Sequence, residues 1–323
     1  MYFPYLRGRQ NELLCLRELL DSNKLCVDII PVIEPVRCNS TFFTTIAKFI
    51  EADRKIIVIR NPKVGKFNSD YKEMKKKMKN ETDENKKEKI RSTLNSYAEL
   101  LKDDHVINAY ICDGSIISKC LDGTKEVENI VLINTNKSTL DYYEENGNNL
   151  SAMYTFIPKD EDFKDEVVGK VVAIEDGYVK AKRNVDYIES PDEAFSRNHL
   201  IYHKRGYVGF SDYSIVGDVY EESGFAPLAV AIHILYFGAK GELRVHHFVS
   251  ESNENISDPA RKFAEAMKNL MDWEHFDIIP KTDGLQSLLD YYSNGKFPGL
   301  GVIKKCSIMH HLELMGNYLE VNK

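Results

Sequence analysis

Eight short β-prone runs alternate with stretches of helical pattern, and few folds accept that rhythm. The runs cover residues 3–7, 32–34, 55–60 (KIIVIR), 106–112 (VINAYIC), 129–133 (NIVLI), 152–157 (AMYTFI), 170–174 (KVVAI) and 206–217 (GYVGFSDYSIVG). Several are apolar on both faces, as strands of a parallel sheet are when helices cover one side and packed side chains the other. Pro31 and Pro35 keep the second run short, because proline cannot serve a long central strand. The pattern predicts an α/β fold, a TIM-barrel-like (β/α)8 domain with the 206–217 stretch as its last strand. A doubly wound open sheet is the rival. No GxGxxG or GxxxxGKS phosphate loop follows the first run, which removes the main reason to prefer it.

One domain spanning 1–323 accommodates this plan, since such barrels take about 250 residues before insertions. Two insertions interrupt the alternation. The first, 63–104, is a charged helical insertion after strand three, with KEMKKKMKNETDENKKEKI at its heart. Met74, Met78, Ile90, Leu94 and Tyr97 form a thin apolar seam, so a helical hairpin turning near 80–85 is expected, packing lightly on the core. One long solvated helix is the alternative. The second insertion, 225–252, alternates on both sides of Gly238-Ala239-Lys240-Gly241 and reads as a β-hairpin after strand eight. Residues 191–203 read as the helix between strands seven and eight. Ser40 or Thr41 is the expected cap of the second helix. Helices within 258–323 are expected to close the barrel.

The net charge of −7 argues against a protein whose whole surface binds nucleic acid. No run approaches the ~20 apolar residues of a membrane span, and MYFPYLRGR lacks the layout of a signal peptide. Cys15, Cys26, Cys38, Cys112, Cys120 and Cys306 form no CxxC pair. Reduced, buried thiols and a cytoplasmic location are therefore expected.

Tyr2-Phe3-Pro4-Tyr5-Leu6-Arg7, the Glu12-Leu13-Leu14 helix, Ile30-Pro31-Val32-Ile33-Glu34-Pro35 and Phe210-Ser211-Asp212-Tyr213 give the chain its one family likeness. In these segments it resembles the phage beta-protein family and uncharacterised bacterial relatives encoded beside a restriction-nuclease-like protein. The resemblance implies a barrel-like fold and a phage-defence or mobile-element setting. It implies no reaction and transfers no catalytic residue.

Chemistry in such barrels gathers at the C-terminal rim of the strands. There the residues ending each run supply Arg7, Glu34, Arg60, Asp113, Asn134, Glu175 or Asp176, Asp212 and Tyr213. Glu34, Asp113 and Asp212 are the candidate catalytic groups and the candidate oxygen ligands for Mg2+ or Mn2+. Arg7 and Arg60 would grip an anion through paired hydrogen bonds, with Asn134, Glu175 and Tyr213 completing the ligand set. Glu34 and Asp212 are expected to flank Arg7. The bland reading is that Asp and Asn end strands because they suit turns and caps. His199 and His203 have metal-pair spacing without the Glu of HExxH. His233 and His246 face each other if the hairpin turns at 238–241, and His310 and His311 read as helix-core residues. No GxSxG serine or protease-type cysteine is present. Two functions are carried forward. One is a barrel that binds a phosphate-bearing small molecule or nucleic-acid fragment at its rim and hydrolyses it with metal help. The other is a non-catalytic module that holds a partner such as a nuclease.

Overall fold

The computed structural model describes residues 1–222 and 227–322. Its central sheet has eight parallel strands in the order β1-β2-β3-β4-β5-β6-β7-β9. These are β1 (Tyr5–Leu6), β2 (Val32–Ile33), β3 (Ile56–Ile59), β4 (Val106–Ile111), β5 (Val131–Ile133), β6 (Tyr154–Pro158), β7 (Val171–Glu175) and β9 (Gly209–Asp212). A parallel bridge between Tyr2 and Phe210 brings the last strand back to the first. At that seam Phe3 N donates to Phe210 O at 2.9 Å and Phe210 N to Met1 O at 3.2 Å. Gly209 is required there, because a Cβ would lie 2.6 Å from the Phe3 ring. The result is the nearly closed α/β barrel that the alternation predicts.

The two-residue period of each strand sorts its side chains. Phe3, Tyr5, Val32, Ile57, Ile59, Ala109, Val131, Ile133, Phe156, Val172 and Ile174 fill the barrel interior. Leu6, Ile33, Val58, Leu132, Ala173 and Phe210 point outward into the helix layer. That layer contains α1 (Gln10–Asp21), α2 (Ser40–Glu51), α3 (Phe67–Asn80), α4 (Glu84–Leu100), α5 (Gly114–Leu121), α6 (Leu140–Asn146) and α7 (Glu161–Glu166). Asn39, rather than Ser40 or Thr41, caps α2 by accepting from Phe42 N.

The charged insertion is a hairpin of α3 and α4, and its base packs more firmly than expected. Tyr97 stacks on Phe43 of α2 with ring centroids 3.4 Å apart, and Leu94 is buried. Phe67 packs edge-on against Phe42. The reason is the apolar seam itself, which is concentrated at the base. The tip carries charges satisfied within the helices, such as Lys77–Glu73 and Arg91–Glu88. Leu94→Ala is therefore expected to cost about 2–5 kcal/mol, as truncation of a buried leucine does. Replacing residues 76–91 with a short Gly-Ser bridge should leave the thermal midpoint almost unchanged; both are read by thermal unfolding.

Residues 191–203 are not a helix. They hold β8 (Asp192–Ser196) and the short α8 (Asn198–Ile201). β8 pairs antiparallel with β11 (Leu243–Val249), which pairs with β10 (Ala231–Phe237), giving a second, three-stranded sheet. The short DEAFS segment lacks the apolar period that would mark it as a strand, and its pairing with β11 decides its state. Residues 225 and 226 of the expected 225–252 hairpin lie outside the described residues. α9 (Pro259–Met271) and α10 (Asp283–Ser293) pack on this sheet through Phe263, Met267, Leu270, Leu285 and Leu288. α11 (Leu300–Val321) runs between the two sheets and is buried on most sides, burying Cys306, Ile308, Leu312 and Met315 together with the polar Ser307, His310 and His311. It takes the place of the last barrel helix. Among the described residues no helix is long and apolar enough to cross a membrane.

Candidate functional site

The same alternation divides the rim residues into two sets. Arg7, Glu34, Asp113 and Tyr213 continue the inward positions of their strands and stand over the barrel mouth. Arg60, Asn134, Glu175 and Asp212 continue the outward positions and enter the helix layer. The expected rim cluster is therefore split, and Asp212 does not flank Arg7.

At the mouth, Arg7 forms a buried ion pair with Glu34 and also donates to the Asp218 carbonyl. Tyr5 Oη donates to Glu34 Oε2 at 2.8 Å, and Lys63 N donates to Oε1 at 2.7 Å. Both oxygens of Glu34 therefore have donors, two on Oε2 and one on Oε1. The Arg7 guanidinium lies over the rings of Tyr5 and Tyr213, at 5.0 and 5.5 Å from their centroids. Burial pushes the Tyr213 hydroxyl up to about 12 despite the nearby Arg7 cation. Asp113 caps α5 by accepting from Ile116 N and pairs with Lys63 Nζ at 2.9 Å. The bland reading of Asp113 is the one observed.

Asp176, rather than Glu175, is the carboxylate that β7 presents inward. It accepts from Tyr178 N at 3.0 Å and from Asp218 N at 2.8 Å. Glu175 turns outward to Ser196 and Lys159. Asn134 is buried outside the barrel, accepting from Thr139 Oγ1 at 2.6 Å. Arg60 donates to Asn108 Oδ1 at 3.0 Å and borders a cavity of about 280 Å³ under the helical hairpin, walled by Phe43, Phe67, Tyr71 and Tyr97.

Asp212 belongs to a fully buried ring of four polar groups between the barrel and α11. Its Oδ1 accepts from Tyr2 Oη at 2.9 Å and from Ser214 N at 2.8 Å. Ser214 Oγ lies 2.9 Å from His311 Nδ1, and His311 Nε2 lies 3.5 Å from Tyr2 Oη. Burial pushes the Asp212 carboxyl up to about 7 and the His311 imidazole down to about 3. Among the described residues no three His, Cys, Asp or Glu side chains form a group able to hold a metal ion. Glu34, Asp113 and Asp212 are thus not a shared Mg2+ or Mn2+ ligand set.

The histidine reading also needs correction. The β10–β11 register sets His233 opposite His247, not His246. His199 Nε2 instead meets Gly241 O at 2.8 Å, and His310 Nε2 meets Leu235 O at 2.7 Å.

The place best suited to a ligand lies beyond the C-terminal ends of β7 and β9. There the segment after β7, the turn after β9, the start of β10 and the first turns of α11 enclose a cavity of about 250 Å³. This is slightly below the roughly 300–1,000 Å³ of drug-sized sites and suits a small metabolite. Lys182 and Lys304 line it together with Tyr178, Tyr187, His233 and Ser307, and Lys180 does so while paired with Glu221 Oε2 at 2.6 Å. Leu300, Ile303, Lys304 and Ser307 form one stripe of α11, at helical spacing. Gly299, the residue before the helix, offers no side-chain cap, and the first turn holds no acidic residue. The positive end of the helix dipole and Lys304 therefore stand together, an arrangement that an anion would offset.

Among the described residues Lys304 makes no ion pair within 4.0 Å; burial lowers its ammonium below the usual lysine range, against the pull of Glu12. Ser307 is 1% exposed, and its Oγ has no hydrogen-bond partner among the described residues. A buried, unsatisfied hydroxyl costs about 1–3 kcal/mol, and a ligand oxygen in the cavity would satisfy it. These residues are spread from 178 to 307, and only the fold brings them together. Lys304-Lys305 at a helix start without an acidic first turn was the one local signal.

No family model, curated protein or solved structure matches the chain.

Proposed function

We propose that this protein is a ligand-binding α/β barrel whose ligand carries a phosphate group, seated in the cavity beyond β7 and β9. The observation that carries this reading is the convergence of Lys304, Lys182 and the unsatisfied Ser307 hydroxyl on one small cavity beside the N-terminal turns of α11. Lys304 would hold the phosphate, Ser307 would donate to it, and the apolar wall of Ile215, Val216 and Ile303 would pack against the organic remainder. Loops after the last two barrel strands and an adjoining helix N-terminus are a recurrent phosphate seat in this architecture. Arg7 is not the clamp, because Glu34 neutralises it. The resemblance to the phage beta-protein family supports a phage-defence or mobile-element setting for this binding.

Isothermal titration with inorganic phosphate tests the reading. Lys304→Gln removes a charge-assisted hydrogen bond and should weaken binding about 10- to 100-fold. Lys102→Gln, distant on α4's flank, should leave it unchanged. Equal affinity for the wild type and Lys304→Gln would remove this cavity as the phosphate seat.

The partner-holding reading rests on a different observation: α3 buries none of its residues. A nuclease-like partner would dock on that hairpin, and excision of 76–91 would then abolish association without changing phosphate affinity.

A further inference from the structure

A single line of hydrogen bonds leads from the cavity wall to the far edge of the second sheet. Ala181 N donates to Tyr187 Oη at 3.1 Å. The Tyr187 and Tyr178 hydroxyls are 2.6 Å apart. Tyr178 Oη is 3.1 Å from His233 Nε2, and His233 Nδ1 is 2.8 Å from His247 Nδ1. His247 Nε2 reaches Glu193 Oε2 on β8 at 3.3 Å. Tyr178, Tyr187, His233 and His247 are all buried, while the Glu193 side chain is 22% exposed.

The polarity of this line is fixed at the Glu193 end. A carboxylate only accepts, so His247 carries its proton on Nε2 toward Glu193 and accepts at Nδ1. His233 must then carry its proton on Nδ1 and accept at Nε2 from Tyr178. Tyr178, with its one proton given to His233, accepts in turn from Tyr187, whose second lone pair is left for the cavity beside the one that Ala181 N fills. Burial and the neighbouring His247 hold His233 well below the usual histidine range, so the pair rests neutral. Each hydrogen already points toward Glu193.

We propose that the cavity is a reaction site for hydrolysis of a phosphate monoester, with Tyr187 as general base and the Tyr178–His233–His247–Glu193 line as its proton relay. This rests on the phosphate seat proposed above. A water against Tyr187 Oη loses a proton to it as every proton in the line moves one place, and the last arrives on Glu193. The water oxygen uses the freed electron pair to bond phosphorus. The ester P–O bond breaks with its electron pair on the leaving oxygen, which lies opposite the attacking water and takes its proton from solvent. The line then shifts in reverse, Tyr187 returning its proton to an oxygen of the newly formed phosphate, which gives it up to solvent. An alcohol and inorganic phosphate result, and the relay is reset. No further reactant is needed.

Inorganic phosphate alone provides the probe, because the reverse attack exchanges its oxygens with water. The full-length protein is incubated with 18O-labelled phosphate, and label loss is followed by mass spectrometry or 31P NMR. Wild type should lose label well above the protein-free blank. Glu193→Gln should slow exchange by at least about 100-fold, the lower range of general-base catalysis. The phosphate concentration for half-maximal exchange should stay within about threefold, because Glu193 does not touch the ligand; Glu193→Asp should restore part of the rate. His247→Gln serves if Glu193→Gln does not fold, and imidazole 15N NMR should show the Nδ1–H form of His233 in the wild type. Phosphate binding without exchange, or full exchange in folded Glu193→Gln, would overturn the relay and leave the seat standing. Phosphate that fails to bind at all would overturn both.

Discussion

Arg7→Ala should destabilise the protein by about 3–5 kcal/mol, the cost of leaving one partner of a buried ion pair alone. Glu34 is 1% exposed and its neighbours are arranged for a charged carboxylate: Arg7, the Tyr5 hydroxyl and the Lys63 amide. Without Arg7 the carboxylate keeps two donors but loses its countercharge. Glu34→Gln leaves the reverse problem, a guanidinium without its countercharge that keeps the Asp218 carbonyl, the Tyr5 hydroxyl and two aromatic faces. Both variants should show earlier chemical denaturation, with phosphate affinity retained at temperatures where they stay folded. Lys63→Ala provides the contrast. Its pair with Asp113 is half exposed, at 50% and 39%, and such pairs are worth about 0–1 kcal/mol. A folded Arg7→Ala variant of wild-type stability would show that the mouth is not held by this pair.

The second large effect is a pH dependence. The Asp212 carboxyl rises from 3.8 to about 7, because burial disfavours its charged form; the nearby Glu175 and Asp176 add to this, while Tyr2 and Ser214 oppose it. A raised acid stabilises the fold fully below the unfolded value and loses that contribution as pH climbs through the folded value. Between pH 4 and pH 7 this group alone should remove about 4 kcal/mol. His311 and His310 face the same region from α11 and run the other way. Burial lowers them to about 3 and about 4, so their contribution is present above 6.5 and lost as pH falls. Two histidines outweigh one aspartate in acid, and the opposed contributions nearly cancel above about pH 7. Among these groups, stability should rise with pH and level off near pH 7. Asp212→Asn keeps the neutral shape. It should steepen the acid limb, carry the rise on to about pH 7.5, and make the variant more stable than the wild type at pH 8. A wild-type-minus-variant difference that does not change with pH would contradict a buried, largely neutral Asp212.

The barrel was legible because its information is local. Runs such as KIIVIR and KVVAI, apolar on both faces and spaced by helices, admit few arrangements. The strand DEAFS at 192–196 was not legible, since two of its five residues are acidic and its state depends on β11 more than 45 residues later. The rim residues were named by where strands end, without applying the alternation of side chains. Applying it would have separated Glu34 and Tyr213 from Asp212 and Arg60, and would have chosen Asp176 over Glu175. His233 and His247 were missed as a pair by one residue of hairpin register, which moves every partner along the ladder. The cavity itself has no sequence motif. Lys180, His233 and Lys304 lie on three elements far apart in the chain, and only the folding of the second sheet against α11 joins them.

The most direct measurement is a crystal structure of the protein soaked in tungstate, a heavy tetrahedral stand-in for phosphate, with the ion located by its anomalous signal. The strongest peak should lie in the cavity beyond β7 and β9, between Lys304 and Ser307 Oγ at the start of α11. A strongest peak at Arg7, at Arg60 or on the lysines of the helical hairpin, with that cavity empty, would contradict the placement of the ligand.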